Sequence, residues 1–209
     1  MAIHAVTTHG ERKMKVTKAQ AQANRTHIVE TASSLFREHG FDGVGVADLM
    51  AAAGFTHGGF YKHFGSKVDL MAESAACGTS QTAALLADAD IAEVVRLYLS
   101  REHRDARAAG CTMAALGGDA ARQPTVVRAT FAEGIERLSA ALRAADTSMS
   151  GMNAEQARAR SLVILAQMVG AIVMSRACPD DSSLADEILA SCRNEICSSL
   201  TENVNQNRT

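Results

Sequence analysis

Only two prolines, Pro124 and Pro179, occur in 209 residues, and both fall at the edges of segments with a helical period. Proline removes a backbone donor and clashes with the preceding turn, so a chain nearly free of it places few obstacles in the way of helices. Between these breaks apolar residues recur at intervals of three and four. Ile28, Ala32, Leu35 and Phe36 share one face, as do Val46, Leu49, Met50 and Ala53. The same spacing returns in Ile91, Val94, Val95 and Tyr98, in Val127, Phe131, Ile135, Leu138 and Leu142, and in Leu184, Ile188, Cys192 and Ile196. Aromatic residues make up 4% of the chain and Trp is absent, which disfavours sheets. The expected fold class is all-α.

Local signals divide the helices. Thr17 and Gln20 have the spacing of a capping box. Gly40 is placed to end the first helix in a conformation open to glycine. A turn at Gly43-Val44-Gly45 precedes a short helix that Gly54 stops. Thr56 is positioned to cap a second short helix running to Phe64. Gly65-Ser66 then breaks the chain, and a longer helix starts at Lys67. Two short helices joined by a glycine-containing turn, behind a longer amphipathic one, form a helix-turn-helix pattern. Farther on, Gly110-Cys111-Thr112 opens a small helix expected to end at Gly117-Gly118. Pro124 suits the start of the next helix. Thr147 to Asn153 reads as a Ser/Gly loop.

Several function classes recede. The most apolar stretch, Leu162–Met174, is shorter than the roughly 20 residues a membrane span requires and contains Gln167. No apolar run of signal-peptide length precedes the first charges, so the expected location is the cytoplasm. Five cysteines without a CxxC pair read as reduced thiols rather than a disulfide framework. Cys192 and Cys197 are spaced off a common helix face. The chain has no HExxH, no Glu-x-x-His and no serine nucleophile elbow. Glu38-His39 and Glu102-His103 are adjacent pairs that point to different helix faces. No enzyme activity, cofactor or metal is expected.

Charge is unevenly placed. Through residue 70 there are eight Lys and Arg against six Asp and Glu; beyond it there are thirteen against seventeen. All five lysines lie at or before Lys67, and six of seven histidines at or before His63. One end of the chain is therefore suited to a polyanion. Within that end, the octet His57-Gly58-Gly59-Phe60-Tyr61-Lys62-His63-Phe64 puts Phe60 and Phe64 on a buried stripe. At about 100° per residue, Gly58, Gly59 and Lys62 then face away. Two glycines in a short helix cost about 1 kcal/mol each, which suits a backbone that something must approach closely. A DNA major groove is one such object, with Tyr61 and His63 flanking the contact and Lys67 at the next helix start. A surface helix whose Tyr and His simply pack shows the same residues.

Ile28 to Leu70 resembles the DNA-binding domain of TetR-family transcriptional regulators. The matching residues are Ala32, Leu35, Phe36, Gly40, Val46, Asp48, Leu49, Ala53-Gly54, Gly58, Phe60-Tyr61, His63-Phe64, Ser66-Lys67 and Leu70. The N-terminal residues lack an apolar period, so 1–17 is expected to be a flexible leader; the resemblance implies a helix-turn-helix domain over 18–80 and a ligand-binding and dimerisation domain over 81–209. It also implies about nine helices per subunit of a homodimer. By the same resemblance Thr56, His57, Gly58 and Gly59 lie near bases, while Tyr61, His63 and Lys67 touch the DNA backbone. Gly45 departs from the family pattern, where Ser or Thr caps the second helix; the Val46 amide is then the remaining donor. Gly59 departs too, where Thr or Ser is common.

The implied function is a repressor that binds a pseudo-palindromic operator and is released by a small-molecule inducer. The family places its dimer interface on the last two helices, here represented by Leu162, Leu165, Val169, Val173, Leu184, Ile188 and Ile196. The alternative reading of the first of these helices is a buried core helix. Met113, Phe131, Ile135, Met168 and Ile172 are candidates for a ligand cavity, or for plain core. Cys111 follows Gly110 at a helix start, where amides can activate a thiol. Some relatives carry Gly-Cys here and sense electrophiles or oxidants. That makes a thiol-based repressor the alternative, and a small buried hydrophobe the plain reading of Cys111.

Overall fold

Nine α-helices and three 3-10 helices account for the ordered backbone among the described residues, which in this computed structural model are 17–86, 89–149 and 151–206. The helices are α1 (Lys18–His39), α2 (Val46–Ala52), α3 (Lys67–Leu86), α4 (Ile91–Tyr98), α5 (Arg101–Asp105), α6 (Thr112–Ala120), α7 (Thr125–Ala145), α8 (Ala154–Ala177) and α9 (Ser183–Gln206). The 3-10 helices are His57–Lys62, Arg107–Ala109 and Thr147–Met149. The fold is all-α, as the proline spacing implied. Except for Thr17, the leader expected over 1–17 lies outside the described residues.

Helix α3 is the shared spine. It packs on α1 on one side and on α7 on the other, and α8 pairs with both α7 and α9. It runs unbroken through residue 80, the expected boundary. One apolar cluster extends from Ile28 to Leu200, so both halves of the chain bury side chains in a continuous core.

Several local expectations change. Thr17 Oγ1 does accept from Gln20 N, at 3.1 Å, but the Gln20 side chain reaches forward to Asn24 Oδ1 at 2.8 Å. The capping box is therefore half made there. A complete one starts α8, where Asn153 and Gln156 bond reciprocally. Helix α6 passes straight through Gly117-Gly118. Leu116 and Ala120 are buried on either side of that pair, and their packing outweighs the roughly 1 kcal/mol that each glycine costs. The expected loop after α7 contains the Thr147–Met149 turn. Helix α8, at 24 residues, is also longer than its most apolar stretch: an 18-residue window within it reaches a mean hydropathy of 1.5, so by length and composition it is able to cross a membrane. Here it packs on α5, α6, α7 and α9.

Candidate nucleic-acid interface and internal cavity

The DNA-facing candidates are presented by a short segment resting on two phenylalanines. Phe60 and Phe64 are buried, 5.5 Å apart by ring centroids, among Leu49, Met50 and Phe36. The segment is a 3-10 helix rather than the expected α-helix; Gly58 and Gly59 give it little α-propensity. In this geometry side chains three apart eclipse, so Gly58 and Tyr61 share one side. Tyr61 is 70% exposed, with its ring edge-on to Phe60, and His57, Gly58 and Lys62 are exposed beside it. Space beyond Gly58 is open, whereas a Cβ on Gly59 would touch Met50 and Thr56. Gly59 therefore leans inward, contrary to its place on an α-helical wheel. Thr56 occupies the N-cap position without a side-chain cap bond, which leaves its hydroxyl uncommitted there. Gly45 caps α2 without a side chain, and Val46 follows as its first residue.

Two expected DNA-backbone residues are tied into the protein. Lys67 Nζ donates to the carbonyl oxygen of Phe41 at 2.6 Å and stands over the Phe36 ring. His63 is half-buried between Phe55 and Phe64, and its carbonyl accepts from Arg25 Nε at 3.2 Å. Arg25 also forms a bidentate ion pair with Glu73 and lies 4.8 Å over the Phe64 ring. Arg25 thus clamps the end of the exposed segment between α1 and α3. The sequence carried no signal for it, because its partners are 38 and 48 residues away.

A cavity of about 580 Å³ opens between α6, α7 and α8. Met113, Phe131 and Ile135 are among its lining residues. So are Leu162, Leu165 and Val169, which the family resemblance places at a subunit interface. Arg128 is the one charged residue of the lining. Met168 and Ile172 lie outside that lining and are buried in the core. Ile196 is buried as well, whereas Val173 and Leu184 are exposed and Ile188 is half-buried. The exposed stripe on α8 runs through Val163, Ala166, Gln167, Val173, Met174 and Ala177.

Cys111 is the N-cap of α6, 3% exposed and away from the cavity lining. Its amide donates to His103 Nε2 at 3.2 Å, and His103 Nδ1 meets the Tyr98 carbonyl oxygen at 2.7 Å. These partners fix a neutral imidazole with its proton on Nδ1. Burial pushes the His103 pKa down, the Tyr98 bond partly opposes that, and the nearby Arg176 charge adds to the lowering. The Tyr98 hydroxyl adjoins the Cys111 thiol; burial pushes its pKa well up, and no regular hydrogen bond satisfies it among the described residues. No group of three or more His, Cys, Asp or Glu suited to a metal occurs among the described residues.

Comparison with known proteins bears on the same segment. Residues 28–73 match the family described as bacterial regulatory proteins, tetR family. The HTH-type transcriptional regulator AcrR of Shigella flexneri is 40% identical over 57 residues, 27% of this chain and 26% of that protein. The HTH-type transcriptional repressor AcnR of Corynebacterium glutamicum is 32% identical over 81 residues, 39% of this chain and 43% of that protein. These alignments span a quarter to under a half of the relatives' lengths. Among solved structures, the reduced form of E. coli NemR superposes with a TM-score of 0.65 at 18% identity, covering 82% of this chain and 96% of that one. A TetR-family regulator from Agrobacterium tumefaciens gives 0.62 at 22%, covering 86% and 98%. At such identities the likeness speaks for the fold. Residues 28–73 are thus similar in sequence to the tetR family of bacterial regulatory proteins, and the helical fold as a whole is shared with solved TetR-family regulators.

Proposed function

We propose that this DNA-binding regulator is a cytoplasmic repressor that binds a pseudo-palindromic operator as a homodimer and is released by a small-molecule inducer. Residues 18–80 serve as the DNA-binding domain and 81–209 as the ligand-binding and dimerisation domain. Thr56, His57 and Gly58 face bases, while Tyr61, Lys62 and the Val46 amide hold phosphates. The exposed α8 stripe, extended by Leu184 and Ile188, is the subunit contact. Two recognition segments then lie about 34–36 Å apart, one turn of duplex DNA.

The observation that carries the ligand response is a chain of contacts from cavity to recognition segment. Phe131 lines the cavity and meets Phe41 edge-to-face at 6.4 Å. Phe41 in turn holds Lys67, the first residue of α3, through its carbonyl oxygen. The Phe41 amide donates to Asp119 Oδ2 on α6 at 3.3 Å. A ligand that moves Phe131 or α6 therefore acts on the turn that seats α3. It shifts DNA affinity only by binding the two states unequally. The cavity's volume suits a small molecule, and its lining calls for a largely apolar one. The test is to titrate purified protein against operator DNA with and without candidate apolar ligands. Release that Phe131→Trp abolishes, with DNA affinity kept, supports the reading; a response unchanged by that substitution counts against it.

A thiol mechanism is the second reading, favoured by the placement of Cys111 at the joint between His103, Tyr98 and α6. Oxidation or alkylation there requires the joint to open, since the thiol is buried. If Cys111→Ser leaves the response to electrophiles intact, this reading fails.

A further inference from the structure

A second cleft, of about 370 Å³, lies where the end of α1 meets the Arg107–Ala109 turn and the end of α8. Its charged lining is Arg37, Glu38, Arg107 and Arg176, with His39 beside them. None of the three guanidinium groups forms an ion pair with a carboxylate among the described residues. Their hydrogen bonds go to neutral acceptors. Arg37 donates to the Ala108 carbonyl oxygen at 2.7 Å and to Ser33 Oγ at 2.7 Å. Arg176 donates to the carbonyl oxygens of Arg104 at 2.7 Å and His103 at 3.2 Å. A guanidinium has five N–H donors, so both keep donors in reserve. Arg107 is exposed at the mouth. Burial lowers the pKa of Arg37 and of Arg176, and the like charge of Arg107 lowers that of Arg176 further. The cleft thus gathers partly desolvated cations whose opposing charge is limited to Glu38, an arrangement that an incoming anion relieves. Three arginines against one glutamate leave a formal charge of +2, with His39 neutral.

We propose that this cleft binds a small dianion of the phosphate or dicarboxylate class. Contact with α1 on one wall, and with the Arg107 turn and α8 on the other, then fixes the DNA-binding half of the chain against the C-terminal bundle. Planar guanidinium groups suit either oxyanion because they donate in parallel pairs. The site is separate from the apolar cavity and from the recognition segment, and it borders the proposed subunit contact at Val173 and Ala177.

Isothermal titration of the full chain with inorganic phosphate and, separately, with malonate tests this at ionic strength held constant with chloride. The expected result is saturable binding of at least one probe at about one site per chain, and the stronger probe identifies the class. Arg107→Gln, at an exposed position, should weaken that binding about tenfold or more. Glu38→Gln should tighten it several-fold, an effect that mere loss of structure does not produce. Circular dichroism checks that both variants are folded. Saturation by neither probe, or affinities in both variants equal to the parent's, overturns the proposal.

Discussion

Arg37 Nε, on α1, donates to the carbonyl oxygen of Ala108 at 2.7 Å. The same guanidinium bonds Ser33, and a Cβ on Gly78 of α3 would collide with Arg37, Ser33 and Thr112 together. Four elements, α1, the Arg107–Ala109 turn, α3 and α6, therefore meet at a polar contact with no spare volume. Arg37→Met removes a charged donor from a half-buried carbonyl and from buried Ser33, and should lower stability by about 1–3 kcal/mol. Urea unfolding with an unchanged m-value measures it; a loss below about 0.5 kcal/mol would mean the joint is dispensable.

Lys67 and Lys62 should separate cleanly. Lys67 is occupied by Phe41, so Lys67→Met should lower the melting temperature by several degrees before it changes DNA contacts. Lys62 is exposed beside Tyr61, and Lys62→Ala should reduce the slope of log affinity against log salt by about one for each chain bound. The reverse pattern would make Lys67 the phosphate contact.

Gly117 lines the apolar cavity, and nothing lies within 4 Å of a Cβ built there. Gly117→Leu should fill part of the cavity and, as a helical residue, stabilise the chain by about 0.5–1 kcal/mol. Uptake of an apolar fluorescent dye should fall while DNA affinity stays level. Undiminished dye uptake would place the ligand elsewhere.

The neutral His103 makes stability pH-dependent. Its folded pKa lies below that of the unfolded chain, near 6.5, so the unfolded state binds more protons on acidification. The stabilisation is complete above about pH 6.5 and is lost as pH falls through the lowered folded value. His103→Gln should flatten this part of the profile, as followed by urea midpoints between about pH 7.5 and 5. An equally steep decline in the variant would assign it to other groups.

On α8, Gly170 borders the exposed stripe and has open space at its Cβ position. Gly170→Arg should leave the subunit folded and convert a dimer to monomer by light scattering. A dimer of unchanged mass would move the contact off this face.

How far the sequence disclosed all this depended on the range of each interaction. The Phe60 and Phe64 pegs were legible because they lie one helical turn apart. Met113, Phe131 and Ile135 were legible as cavity candidates on amphipathic segments. Met168 and Ile172 are buried in the core while Leu162, Leu165 and Val169 line the cavity, a division the sequence does not mark because α8 is apolar nearly all round. Such a helix has no polar stripe to tell its cavity face from its core face. The Lys67–Phe41 bond spans 26 residues and the Arg37–Ala108 bond 71, beyond any local pattern. The 3-10 geometry of His57–Lys62 reflects a balance of weak propensity and the anchoring of Phe60, which periodicity alone does not resolve.

The most direct measurement is selection of bound duplexes from a random DNA library by the purified full chain, followed by footprinting of the enriched sequences. The account predicts an inverted repeat with two protected half-sites about one helical turn apart, bound with a steep salt dependence. Enrichment of no sequence above background, or of a single unrepeated site bound by one chain, would contradict it.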